Sequence, residues 1–144
     1  MKRSGFKIKP RKPMKRGKLK KKSPQKVSIL KRHLWEQFAK YIKNRDANVC
    51  FTCGRKAEGS GIHCGHFIPK SVGGIALYFH EDNCHAQCYN CNINLGGNQY
   101  IYGQKLGEQK VKELYAIKQQ TNKWSNEDYL SKTEYYTKLN NQND

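Results

Sequence analysis

Long apolar runs are missing from this 144-residue chain, and so are carboxylates at its start. No stretch approaches the roughly 18 apolar residues of a membrane-spanning helix, and the basic N-terminus lacks the apolar segment of a secretory signal. A soluble, cytoplasmic protein with no membrane partner is therefore expected. Hydrophobic residues make up 36% of the sequence, too lean for a large core. Proline is sparse: Pro10, Pro13 and Pro24 lie near the start, and after them comes only Pro69. Acidic residues number 11 against 28 lysines and arginines, a formal net charge of +17.

The excess is uneven. Residues 1–24 hold twelve basic residues and no acidic one, so they supply +12 and the remainder +5. Such a block repels itself, cannot collapse, and suits an arm that follows a polyanion. Residues 1–26 are read as a disordered DNA-binding arm, its contacts Lys2, Arg3, Lys7, Lys9, Arg11, Lys12, Lys15, Arg16, Lys18, Lys20, Lys21 and Lys22. Residues 27–144 form one domain, with a core over 48–98 and C-terminal helices over 99–142. Lys70, within the core, is grouped with the arm as a further DNA contact.

Six cysteines would suggest disulfides in a secreted chain, but four of them stand as two Cys-x-x-Cys pairs, Cys50 with Cys53 and Cys88 with Cys91. Each pair supplies two adjacent thiolates from one tight turn, which is what a tetrahedral structural zinc requires. Cys64 and Cys84 lie outside the pairs and are read as small buried residues. A plain zinc ribbon has about 15 to 20 residues between its pairs; here there are 34, room for an inserted hairpin.

Apolar residues at Val27, Leu30, Leu34, Phe38, Tyr41 and Ile42 mark an amphipathic helix to about Asp46, with Lys31, Arg32, Lys40, Lys43 and Arg45 on its outer face. Ile62 to Ile68 and Ile75 to Phe79 read as two strands joined by a turn from Pro69 to Gly74. A short helix should follow the second cysteine pair and end near Gly96 and Gly97. Tyr100 to Gln120 is expected to be helical with Leu106, Val111, Leu114 and Tyr115 inward, and a last helix should start near Ser125, where Asp128 completes a capping box.

The insert contains HCGHFIPKSVGG, and the second cysteine pair is followed at once by Asn92. Phosphodiester hydrolysis needs an activated water, a cation at the phosphate, and a grip on the backbone. His66 is the candidate general base, because a neutral imidazole takes a proton from water near neutral pH; a zinc ligand or a buried strand residue are the alternatives. His63 and Asn92 are candidate ligands for a second, catalytic divalent cation, although strand alternation points His63 and His66 to opposite faces. For Asn92 the alternative is a cap on the short helix. Asn83 would buttress the loop near His66, and His85 would meet phosphate or metal; either could instead be a surface residue. His33 and His80 are read as structural.

The segments GHFIPKSVGG, LYFHEDNCHAQCYNCN and GGN resemble the NinG (Rap) recombination proteins of lambdoid bacteriophages and, more distantly, the HNH nucleases, over about residues 45–120. The resemblance implies an α+β fold with a small zinc-stapled ββα-metal core. It also implies a structure-specific endonuclease acting on branched recombination intermediates such as Holliday junctions and D-loops, in a bacterial host's cytoplasm. His66 matches the general base, Asn83 the middle Asn and Asn92 the third position in its Asn variant. Phage or host recombination proteins and a second copy of the chain are further possible partners. Two departures stand out. Gly65 occupies the place just before the base where HNH enzymes have a metal-binding Asp or His, and His63 the place where NinG-like proteins often have Asp. Losing a carboxylate favours manganese and softer ions over magnesium, unless Glu81 or Asp82 supplies one. The competing function is a non-catalytic zinc-ribbon protein that binds or anneals DNA.

Either function makes DNA affinity depend on salt. With about six phosphates neutralised by the arm, affinity should fall roughly a thousandfold between 50 and 200 mM salt. Deleting residues 1–24 is expected to flatten that slope in a filter-binding salt series while leaving zinc content intact; an unchanged slope would remove the arm from the DNA contact.

Overall fold

The computed structural model describes residues 26–142, so all of the arm but its last residue, including every contact assigned to it from Lys2 to Lys22, lies outside the described residues. The fold is α+β, with five α-helices around one two-stranded antiparallel sheet among the described residues. Helix α1 spans Val27–Arg45, strand β1 Ile62–His66, helix α2 Gly74–Tyr78, strand β2 Cys84–Cys88, helix α3 Gln99–Leu106, helix α4 Glu108–Lys118 and helix α5 Asn126–Gln142.

Helix α1 forms as its periodicity predicts. Leu30, Leu34, Phe38 and Ile42 recur every four residues and are all buried, whereas Val27, at the free end, is exposed. This stripe packs on α5 and on one face of the sheet, with Cys64, Phe79, Cys84, Tyr129 and Tyr136 completing the cluster. Ser125 and Asp128 cap α5 reciprocally: the Ser125 amide donates to the Asp128 carboxylate at 2.7 Å, and the Asp128 amide donates to the Ser125 hydroxyl at 3.2 Å.

The sheet differs from expectation in its second strand. Ile75 to Phe79 does not pair with β1; Gly74–Tyr78 is a helical turn, and the partner strand is Cys84–Cys88. A short apolar run cannot be assigned to helix or strand by periodicity alone. The true strand, CHAQC, has no β-branched or large aromatic residue to announce it. Its register runs without a bulge from Ile62 opposite Cys88 to His66 opposite Cys84, so the hairpin delivers its open end directly into the second cysteine pair. The helix expected over 100–120 is broken in two at Gly107, whose φ of +83° suits glycine. Leu114 is buried, Leu106 and Val111 are partly buried, and Tyr115 is exposed rather than inward.

Three of the charged groups considered above are internal ties. Arg45 donates to the carbonyls of Glu81 and Cys84 at 3.0 and 2.9 Å and pairs with Asp46, so it does not lie on the outer face of α1. The Glu81 carboxylate accepts from the hydroxyls of Tyr41 and Tyr136, both at 3.0 Å, joining α1, α5 and the loop before β2. Asp82 pairs with Lys110 of α4 at 2.9 Å. Both Glu81 oxygens and one Asp82 oxygen are engaged there, in contacts with Tyr41, Tyr136 and Lys110.

Candidate metal centre and the histidine site beside it

The two cysteine pairs converge. The sulfurs of Cys50, Cys53, Cys88 and Cys91 all lie within 4.8 Å of one another. A tetrahedral ion with bonds of about 2.3 Å sets its sulfurs about 3.8 Å apart, and Cys53 Sγ and Cys88 Sγ are separated by 3.7 Å. This set is placed to hold a structural metal ion such as zinc. The first pair is fixed to the sheet by the Phe51 amide donating to Ala86 O at 2.7 Å, and its turn closes at Gly54, where φ is +75°. The second pair passes from β2 into a single π-helical turn, Asn90–Asn94, with the Asn98 amide 3.8 Å from Cys91 Sγ.

Two adjoining cavities open beside β1. The larger, about 420 Å³, is lined by Cys64, His66, Lys70, Asn92 and Gln99 among others. The smaller, about 310 Å³, is lined by Trp35, Ala39, Lys43, His63, Cys64, Lys70 and Asn92. Asn92, Cys64 and Lys70 line both, and no carboxylate lines either. His66 lines the larger cavity and His63 the smaller, and Asn92, from beyond β2, lines both.

Both histidines are oriented by backbone carbonyls. A carbonyl only accepts, so His66 Nε2 carries its proton and donates it to Tyr78 O at 2.9 Å, leaving the Nδ1 lone pair. The ring stacks on Trp35 at 5.6 Å between centroids. Burial, with Lys70 beside it, lowers the His66 pKa to about 4, so the imidazole is neutral at pH 7. His63 Nε2 donates likewise to Ser60 O at 3.0 Å, and its Nδ1 accepts from the Asn92 amide at 3.0 Å. Asn92 is thus turned to His63 and makes no helix-capping bond.

Asn83 is fully buried. Its oxygen accepts from Ile68 N at 2.7 Å, and its amide donates to the carbonyls of Ile68 and Leu77 at 3.1 and 2.9 Å. It pins the loop after His66 to the helical turn that supplies the Tyr78 carbonyl. His85 is elsewhere: it stacks on Phe51 at 3.9 Å, bonds to the Tyr102 hydroxyl at 3.0 Å, and lines neither cavity. Cys64 and Cys84 are buried against α1.

The structure accounts for the glycine before His66. A side chain at Gly65 would run into Gln87, whose amide donates to Gly97 O at 2.8 Å. Gln87 therefore occupies the space a ligand at 65 would use. Neither Gln87 nor Trp35, the platform for His66, was singled out from the sequence. Trp35 had a signal, being four residues from both Lys31 and Ala39 on a basic helix; Gln87 had none.

Comparison with known proteins now places this architecture. A family model described as Bacteriophage Lambda NinG protein matches residues 3–143. The chain belongs to the NinG family. It is 27% identical to protein ninG of Escherichia phage lambda over 126 residues, which is 80% of this chain and 60% of that relative's length. No solved structure matches it. Among its described residues, no helix is long and apolar enough to cross a membrane.

For this NinG-family chain, mass spectrometry under native conditions should find one zinc per chain. Cys88→Ser is expected to lose that zinc and the cooperative thermal transition with it, whereas Cys64→Ala keeps the metal. Full zinc occupancy in Cys88→Ser would overturn the ligand assignment.

Proposed function

We propose that this NinG-family protein is a metal-dependent endonuclease that hydrolyses phosphodiester bonds in branched DNA, such as Holliday junctions and D-loops. The observation that carries the reading is His66: a neutral imidazole with Nε2–H committed to Tyr78 O and a free Nδ1, at a cavity bearing Lys70 and no carboxylate. A base kept unprotonated at neutral pH can take a proton from water at Nδ1. A neighbouring ammonium favours an anionic phosphate in the same space.

A divalent cation, when bound, stabilises the charge that develops on the phosphate. His63 and Asn92 are the residues to hold it. His63 has the hydrogen-bond pattern of a metal-ligating histidine, one ring nitrogen donating to a carbonyl and the other facing a second donor side chain. Asn92 offers its amide oxygen once the amide turns over. A nitrogen and a neutral oxygen, with Glu81 and Asp82 engaged elsewhere, suit manganese better than magnesium. Asn83 acts as a positioning residue through the Ile68 to Tyr78 loop, and His85 has no part at the cavity. Branched substrates, phage or host recombination partners and a dimer follow from the family likeness.

The test is incubation of wild type and His66→Ala with a synthetic four-way junction and a matched linear duplex in manganese. The expected result is junction cleavage by wild type and a loss of at least a hundredfold in His66→Ala, with junction binding and zinc content retained. Tight junction binding without cutting by either protein, in manganese, magnesium, nickel or zinc, would favour the non-catalytic binding protein.

A further inference from the structure

Helix α1 presents one more ordered feature, on the side that faces the cavities. Lys31, Trp35, Ala39 and Lys43 recur every four residues and so share one ridge. Trp35, Ala39 and Lys43 line the smaller cavity, and Lys70 enters it from the loop after β1. The Lys70 ammonium sits 3.5 Å from the Trp35 ring centroid and 5.1 Å from that of Tyr78. Lys31 sits 4.0 Å from the same Tyr78 ring. Two like charges are therefore held side by side on one aromatic pair, with a third, Lys43, further along the ridge.

Among the described residues, none of the three lysines makes an ion pair with a carboxylate. There is no Asp or Glu from Gly59 to His80 or from Asn83 to Gly107. Glu81 and Asp82, between those segments, are engaged by tyrosines and Lys110. Glu36 pairs with Arg32 on the next ridge of α1. Burial holds Lys70 below the usual lysine range, with a smaller push from Lys31 and an opposing pull from Cys64 and Cys84, and an anion lodged between the two ammoniums offsets the desolvation and the repulsion. From Lys31 to Lys43 is twelve residues, about 18 Å of helix, or about five steps of a DNA strand at 3.4 Å each.

We propose that Lys31, Lys70 and Lys43 form a track that binds the sugar-phosphate backbone of one DNA strand and leads it past His66 and Asn92. Trp35 and Tyr78 are its apolar wall. Lys70, which lines both cavities, holds the phosphate next to His66, and Lys31 and Lys43 hold phosphates to either side. Cations elsewhere on the domain, such as Arg32 paired with Glu36 and Lys138 paired with Glu134, take no part. The track rests on the reading that DNA is the substrate, and adds which face of the domain the strand crosses.

The experiment is fluorescence anisotropy with a labelled four-way junction over 50 to 200 mM salt, using the full chain. Wild type is compared with Lys31→Gln/Lys43→Gln/Lys70→Gln and with the control Arg32→Gln/Lys138→Gln. Three lost phosphate contacts should reduce the slope of log affinity against log salt by about 2 to 3, with affinity at the lowest salt at least tenfold weaker. The control should match wild type. Lys43→Gln alone, away from the aromatic pair, should lower the slope by about 0.7 to 0.9 and serves if the triple variant is misfolded by circular dichroism. Wild-type slopes in the triple and single variants would overturn the track while leaving the DNA reading standing. Failure of wild type to bind any DNA would overturn that reading, and the track with it.

Discussion

Four sulfurs gathered within 4.8 Å are the constraint on which the rest of the molecule depends. They come from the segment before β1 and from the end of β2, so an ion held by them would close the hairpin at its open end. Among the described residues the modest core divides into three clusters, one under α1 and α5, one under α3 and α4, and a small one at the cysteines themselves. In a domain with so little apolar burial, a structural metal supplies folding free energy that the core does not. Asn92, the residue after Cys91, has its amide 3.0 Å from His63 Nδ1 across the strand.

A second set of bonds arranges His66. Asn83 makes three hydrogen bonds to the chain between Ile68 and Leu77, and the next carbonyl, of Tyr78, receives the His66 proton. Trp35 stacks behind the imidazole, and Lys70 rests on the same indole. The choice of tautomer, the neutrality of the ring and the position of the nearest cation are consequences of one packed corner between α1, β1 and α2. Among the described residues no carboxylate lines either cavity at that corner. Gly65 is part of the same economy of space, since Gln87 fills the place beyond it.

Much of this was legible in the sequence, for identifiable reasons. Paired cysteines have rigid spacing, so the four-sulfur set could be read directly. Helix α1 has a four-residue repeat of large apolar side chains, and α5 has a reciprocal Ser125–Asp128 cap. Asn92 next to Cys91 could be placed because the cysteine fixes it. The second strand could not be read, because CHAQC carries neither β-branched residues nor a clear polar alternation, while the apolar run at Ile75 to Phe79 looked more like a strand than it is. Arg45 looked exposed by periodicity, yet binds the carbonyls of Glu81 and Cys84, contacts 36 and 39 residues away that no local pattern encodes. His85 resembles a site residue only by its nearness to Cys84 and Cys88; its neighbours in space are Phe51 and Tyr102.

The central claim is that a buried, neutral His66 acts as the base, and the pH dependence of single-turnover junction cleavage tests it most directly. The base works unprotonated, and burial lowers its pKa from the ordinary 6.5 to about 4. With zinc content followed in parallel, the rate should show no inflection near pH 6.5 and should decline tenfold per unit only below about pH 4. A rate that halves near pH 6.5 and falls tenfold per unit beneath it would contradict the account, because it would place the working base in water rather than against Trp35.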